Sequence, residues 1–198
     1  MNFVMRLTGA LLILAAGGAL MPSPAGVQET KVSYVSPAES VRKRGSAPGM
    51  KVKLISNDEG SKLKEYVVIF SAGDEAYSGL LDFAEQYHVT SGHFTAVGAL
   101  SSVVLGWFDP QKKMYRENPV HEQVEVATMT GDFAVYQGKP SLHTHIVVAR
   151  QDGRAFGGHV IEAIVFPTLE VFVTVDPVPL RKKYDPSTDL TLIDADRQ

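Results

Sequence analysis

The sequence predicts a single α+β domain in which many strands accompany one main amphipathic helix. Three observations support this fold class. Residues 75–89 carry apolar side chains at helical spacing. Most of the chain after Ser91 consists of β-branched and aromatic runs separated by Gly, Pro or Asp turns. A chain of 198 residues can bury one substantial core, but it is too short for two comfortable domains.

The first 25 residues have the features of a signal peptide. Arg6 precedes LTGALLILAAGGAL (7–20), an uncharged apolar run, and Ser23 and Ala25 follow at the spacing that a signal peptidase recognises. A helix that crosses a bilayer needs about 20 apolar residues, so the run fits a signal peptide better, and an uncleaved anchor is the alternative. We therefore expect a periplasmic or secreted protein with no stable membrane anchor after cleavage.

Charge and cysteine content exclude several classes of function. Removal of residues 1–25 leaves 18 basic residues against 22 acidic ones, a net charge of −4. Such a chain has no global attraction for a polyanion, so no nucleic acid is expected as a partner. The sequence contains no cysteine, which excludes disulfide bonds and a lipid anchor on a cleaved cysteine.

A flexible linker is expected over residues 26–62, before the domain at 63–176. The segment is rich in Ser, Pro, Gly and charged residues, although MKVKLIS (50–56) could form a short strand. Its basic cluster RKR (42–44) comprises Arg42, Lys43 and Arg44. Short charge runs are usually solvated, and contact with an acidic surface or an anionic lipid is the alternative.

The first ordered elements are a buried strand and the helix. KEYVVIFSAGDE (64–75) contains a continuous apolar run, which indicates a strand that is buried on both faces. Gly73 ends this strand, and Asp74 can cap the helix that follows. In EAYSGLLDFAEQYHV (75–89), the apolar side chains form one helical face.

Strands account for the rest of the domain. GHFTAVGALSSVVLGWFD (92–109) predicts two extended pieces around Gly98, and EQVEVATMTGDFAVYQGKP (122–140) predicts strands on either side of a break at Gly131-Asp132. LEVFVTV (169–175) predicts a last strand. The polar tail at 177–198 is expected to be weakly ordered.

Three of the six histidines lie in SLHTHIVVARQDGRAFGGH (141–159). His143 and His145 share one face of a strand, because side chains alternate between faces. A hairpin with Asp152-Gly153 at its tip places His159 opposite His145 on the partner strand. Three neutral imidazoles suit Zn²⁺ and also Ni²⁺, Cu²⁺ or Fe²⁺. The sequence thus predicts a metal site; a hairpin whose histidines are merely exposed or hydrogen-bonded is the alternative.

Other titratable residues are weaker candidates for this site. Glu162 and Glu170 could orient a ligand histidine, or act as the proton shuttle of an enzyme. His93 begins a strand and reaches the site only if the tertiary fold brings it there. His88 is expected at the end of the helix and His121 in a polar connection.

Two stretches of the chain together resemble the PPC domain, which plants and prokaryotes share: GHFTAVGALSSVVLGWFDPQKKMY and LHTHIVVARQDGRAFGGHVIEAIVFPTLEVFVT. The resemblance runs from about residue 66 to 175. It implies a mainly antiparallel sheet, assembly as a homotrimer, and metal binding by the three histidines. The motifs that carry it are Gly98-Ala99-Leu100, Leu105-Gly106, His143-x-His145, Gly153-Arg154 and Gly157-Gly158-His159.

The resemblance leaves three classes of function open. The first is an exported, self-associating protein that binds a divalent metal, with an unknown small-molecule ligand or partner. The second is a zinc-dependent enzyme that uses a metal-activated water. The third is DNA binding. In plant proteins the domain comes after AT-hook motifs in the chain, and bacterial relatives are often labelled DNA-binding on that basis. An AT-hook requires Arg-Gly-Arg-Pro, which RKRGSAP (42–48) does not provide, and the signal peptide and acidic charge also disfavour this class.

Overall fold

The structure is a computed structural model that describes residues 32–196, and it has the α+β class that the sequence predicts. The signal peptide expected at residues 1–25 lies outside the described residues. Within them, two helices accompany ten strands. The helices are α1 (Pro37–Ser40) and α2 (Ala76–Gln86). The strands are β1 (Tyr34–Val35), β2 (Lys51–Asn57), β3 (Lys64–Ser71), β4 (Gly92–Asp109), β5 (Met114–Val120), β6 (Val124–Tyr136), β7 (Lys139–Ala149), β8 (Ala155–Val175), β9 (Lys182–Asp185) and β10 (Leu190–Ile193).

Eight of these strands form one antiparallel sheet in the order β1-β5-β4-β6-β7-β8-β3-β2. The long strands β4 and β8 also pair with each other, from Gly92 opposite Val175 to Gly106 opposite His159. This pairing closes β4, β6, β7 and β8 into a ring. The mainly antiparallel sheet that the resemblance implies is therefore confirmed.

Helix α2 packs its apolar face against the sheet. Leu80 and Phe83 are fully buried, as are Val68 and Phe70 of β3. Burial of one such side chain contributes about 1.5–3 kcal/mol. The helix is capped by Glu75, whose carboxylate accepts hydrogen bonds from the backbone N–H groups of residues 77 and 78.

The prediction that Asp74 caps helix α2 is wrong, because Glu75 is the N-cap. The Asp74 carboxylate accepts hydrogen bonds from the N–H groups of Gly49 and Ser71 instead. It thereby ties the segment before β2 to the end of β3. Among residues 32–196, no helix has the length and apolar character needed to span a membrane.

The segment expected to be a linker contains ordered elements from residue 34 onward, which corrects the prediction for 26–62. Strand β2 pairs with β3 from Lys51 opposite Ile69 to Asn57 opposite Lys64. The basic cluster is also paired within the chain. Arg42 contacts Glu39, Lys43 contacts Asp82 and Glu85, and Arg44 lies 3.8 Å from Glu117.

The tail expected to be weakly ordered forms the hairpin β9–β10, which corrects the second boundary. The strands pair from Lys182 opposite Ile193 to Asp185 opposite Leu190. The hydroxyl groups of Ser187 and Thr188 donate to the Asp185 carboxylate and hold the turn. Local polar composition suggested disorder, but the turn is stabilised by these polar side chains.

Strand β6 runs without interruption through Gly131-Asp132, so the break predicted there is wrong. A side chain at Gly131 would clash with the carbonyl oxygen of His143 and lie 2.6 Å from the Phe94 ring. The glycine therefore permits close packing within the sheet. Similarly, β4 continues through Gly98, where its register with β6 shifts.

Candidate metal centre

The β7–β8 hairpin brings the three predicted histidines together. His145 lies directly opposite His159, which is the register that the sequence predicts. The ring centroids of His143 and His145 are 5.0 Å apart, and those of His143 and His159 are 5.5 Å apart. One ring nitrogen from each residue lies within 4.8 Å of the other two. Among residues 32–196, this is the one group of His, Asp or Glu side chains with such geometry.

The three imidazoles differ in their environment. His143 and His145 are exposed, whereas His159 is only 4% exposed and stacks on Tyr115 with ring centroids 4.5 Å apart. Neither ring nitrogen of His159 has a hydrogen-bond partner. A buried polar group without a partner costs about 1–3 kcal/mol. The site therefore places an unpartnered nitrogen of His159, which could bind a metal ion, beside the imidazoles of His143 and His145.

Asp132 is a functional candidate that the sequence analysis missed. It lies opposite His143 on β6, and its Oδ2 is 3.5 Å from Nδ1 of His143. Its Oδ1 is 3.4 Å from the ammonium group of Lys182, whose side chain is buried. Histidines that bind metal generally donate their second nitrogen to a carboxylate in this way. A hydrogen bond from Nδ1 of His143 to Asp132 would leave Nε2 as the metal ligand.

The electrostatics of the site keep its buried histidine neutral. Burial, assisted by the charges of His143, His145 and Lys182, lowers the pKa of His159 to about 3. Burial and the neighbouring His143 also lower the pKa of His145. Burial alone would raise the pKa of Asp132, but contacts with His143 and Lys182 outweigh it and lower that pKa. Neutral imidazole is the form that binds a metal ion.

A cavity of about 560 Å³ adjoins the histidines. Its wall includes His143, His159 and Lys182, together with residues of α1, the β6–β7 connection and the β9–β10 hairpin. The cluster is therefore accessible from a space large enough for a small molecule, since such sites typically measure about 300–1,000 Å³.

The other candidate residues lie elsewhere. Glu162 pairs with Val104 of β4, and Glu170 is exposed on the part of β8 that pairs with β3. Neither joins the histidine cluster or lines the cavity. The pairing of β8 with β7 ends at His159, before β8 reaches either glutamate. His93 lies opposite Asp132, one strand further from His143. His88 follows α2 and His121 is exposed after β5, as expected.

Comparisons with known proteins agree with this fold. A family model described as the Plants and Prokaryotes Conserved (PCC) domain, the domain abbreviated PPC above, matches residues 57–176. A solved structure from Bacteroides thetaiotaomicron, provisionally named a DNA-binding protein, is 28% identical with a TM-score of 0.69, and the match covers 75% of this chain and 99% of that one. A search of curated proteins gives no match.

Two archaeal structures are also similar. A protein from Archaeoglobus fulgidus, named a metal-containing protein, is 29% identical with a TM-score of 0.62 over 66% of this chain and 93% of that one. A PPC protein from Pyrococcus horikoshii is 21% identical with a TM-score of 0.63 over 75% of this chain and 97% of that one. At this identity, the second comparison supports the fold alone.

Proposed function

Because the chain belongs to the Plants and Prokaryotes Conserved (PCC) domain family, we propose that it is an exported, self-associating member that binds one divalent metal ion through His143, His145 and His159. The observation that carries the proposal is the pair of unpartnered, buried nitrogens of His159 beside two other imidazoles. The name of the metal-containing relative from A. fulgidus supports it.

The donor set fits Zn²⁺ best, and Ni²⁺, Cu²⁺ or Fe²⁺ less specifically. Zn–N bonds of about 2.0–2.1 Å require nitrogens no more than about 4.2 Å apart. The nitrogens lie within 4.8 Å of one another, so metal binding would require side-chain rotation wherever a pair is more than about 4.2 Å apart. A bound ion would supply positive charge and an open coordination position next to the cavity.

Assembly as a homotrimer is the second part of the proposal. The resemblance implies it, and three exposed apolar side chains around Glu170, on the outer face of β3, β8 and β4, support it. Ile69, Val97 and Phe172 are 37%, 53% and 48% exposed and lie on the same face of neighbouring strands. Exposed apolar patches of this kind often mark association surfaces. Burial there would stabilise a chain that contains no disulfide bond.

Export to the periplasm or beyond is supported by the sequence of residues 1–25. The DNA-binding name of the Bacteroides relative has less support in this chain. Its basic residues Arg42, Lys43 and Arg44 contact acidic side chains of the same chain. Their charge is thus already partly neutralised, and we do not extend DNA binding to this protein.

A zinc-dependent enzyme is the second candidate function, and the cavity beside the histidines favours it. Glu162 and Glu170, the proton shuttles that the sequence offers, do not line that cavity. Asp132 is the carboxylate in contact with a histidine of the cluster, and it is also paired with Lys182. An enzyme would therefore need a different group for proton transfer, such as Asp132 beside His143 or Asp189 of the cavity wall.

Calorimetric titration of metal-stripped protein with Zn²⁺ tests the proposal. We expect one equivalent per chain, and the loss of most of the affinity when His143, His145 or His159 is replaced by Ala. His121→Ala is the matched control, since His121 is exposed and lies outside the cluster. Wild-type affinity in all three ligand variants would refute the assignment.

A further inference from the structure

The cavity beside the histidines is partly built by segments outside the family domain. The family model matches residues 57–176. Helix α1 and the hairpin β9–β10 both lie outside that range, and both contribute to the cavity wall. These segments therefore add an enclosure to the histidine cluster that the matched domain does not supply by itself.

One region of the wall is rich in nitrogen donors. His143 and His159 lie close together, and Lys182 is joined to His143 through Asp132. The Lys182 side chain is 5% exposed, and the ring nitrogens of His159 have no partner. An anion would accept a hydrogen bond from His159, and its charge would be attracted to Lys182, whose ammonium group also lies 3.4 Å from Asp132. The wall also contains one acidic residue, Asp189. Its carboxylate accepts a hydrogen bond from the Tyr184 hydroxyl.

The remaining wall is largely apolar. It includes the side chains of Leu81, Leu142, Leu190, Leu192, Tyr77 and Tyr115. The hydroxyl of Tyr77 donates to the carbonyl oxygen of Leu142, which satisfies its polar atom within the protein. Apolar walls with a few convergent polar groups are typical of small-molecule sites.

We propose that this cavity binds a small organic carboxylate with an apolar body. The carboxylate lies at His143, His159 and Lys182, and the body packs against the leucine and tyrosine side chains. The inference deepens the proposed function, because a metal ion on the histidines would be the strongest partner for the carboxylate.

Calorimetry on the zinc-loaded full chain tests this inference with two acids and their neutral counterparts. The pairs are 4-phenylbutyrate with 4-phenylbutanol and hexanoate with hexanol. At least one acid should bind with Kd below about 1 mM and at least about tenfold more tightly than its alcohol. Tenfold is the minimum expected from one hydrogen bond to a charged group.

Two substitutions locate the binding. Ala38 lines the cavity and is exposed, so Ala38→Trp should fill part of the space and weaken acid binding at least about tenfold without changing zinc stoichiometry. Glu39→Trp adds the same bulk at the neighbouring position, which does not line the cavity, and should leave the affinity unchanged.

The outcomes separate this inference from the metal site. Zinc uptake without any preference for either acid over its alcohol overturns the carboxylate site and leaves the metal site intact. Acid binding that Ala38→Trp abolishes, in a protein that takes up no zinc, supports the cavity and contradicts the metal site. Equal effects of Ala38→Trp and Glu39→Trp place the acid outside the cavity and overturn the inference.

Discussion

The metal-free protein should lose stability as the pH falls, and His159 should account for a defined part of that loss. Burial and nearby charges lower the pKa of His159 to about 3 in the folded chain. A histidine in an unfolded chain titrates near about pH 6.5. Between these values the unfolded chain binds a proton that the folded chain does not, so the free energy of unfolding decreases as the pH decreases.

The size of the effect follows from the two pKa values. The contribution is fully present above about pH 6.5 and is lost progressively until the pH reaches about 3. At about pH 4.5, linkage gives a loss of about 3 kcal/mol relative to neutral pH. The pKa of His145 is lowered as well, so its titration has the same sign.

Urea unfolding with EDTA, at equal protein concentration and at about pH 7.5 and 4.5, measures this effect. His159→Leu removes the titrating group and retains an apolar contact for Tyr115. The free energy of unfolding of the wild type should fall by about 3 kcal/mol more than that of this variant. His121→Leu, at an exposed position, should behave like the wild type. Parallel pH dependence in wild type and His159→Leu would refute the reasoning.

Three further predictions concern the ligand support, the assembly and the leader. Asp132→Asn should weaken zinc affinity by about 10–100-fold in a calorimetric titration, because it weakens the partner that orients His143; an unchanged affinity would contradict that role. Light scattering should give the mass of a trimer, and Phe172→Lys should lower that mass; a wild-type monomer at micromolar concentration would exclude the assembly. Intact-mass measurement on periplasmic protein should show that residues 1–25 are absent, whereas full-length chain confined to the cytoplasm would end the export proposal.

The β7–β8 hairpin was predictable because its signals are local. Asp152-Gly153 marks the turn, and the alternation of side chains fixes which residues share a face. Together they place His145 opposite His159, as the structure shows. The apolar face of α2 was predictable for the same reason, since helical spacing within one short stretch determines it.

The partner of His143 was missed although the sequence contains a signal for it. Gln137 and Gly138 both have positive φ, 51° and 80°, in a two-residue turn between β6 and β7. That turn sets Asp132 opposite His143. The interpretation of Gly131-Asp132 as a break concealed the register of β6 with β7. A glycine within a strand can mark close packing rather than a break.

Lys182 and the cavity could not be predicted from local patterns. Lys182 lies 50 positions after Asp132 and approaches it only through the fold of the β9–β10 hairpin. The polar composition around it resembles that of a disordered tail. Likewise, the segment before β2 is ordered through contacts with distant residues, such as those between Lys43 and α2.

Elemental analysis of the protein purified from the periplasm tests the central claim most directly. The account predicts about one divalent metal ion per chain, most consistent with zinc, in the wild type and in His121→Ala. It predicts a metal-free protein when His159 is replaced by Ala. A wild-type protein that contains no metal and takes up none when Zn²⁺, Ni²⁺, Cu²⁺ and Fe²⁺ are supplied would contradict the account.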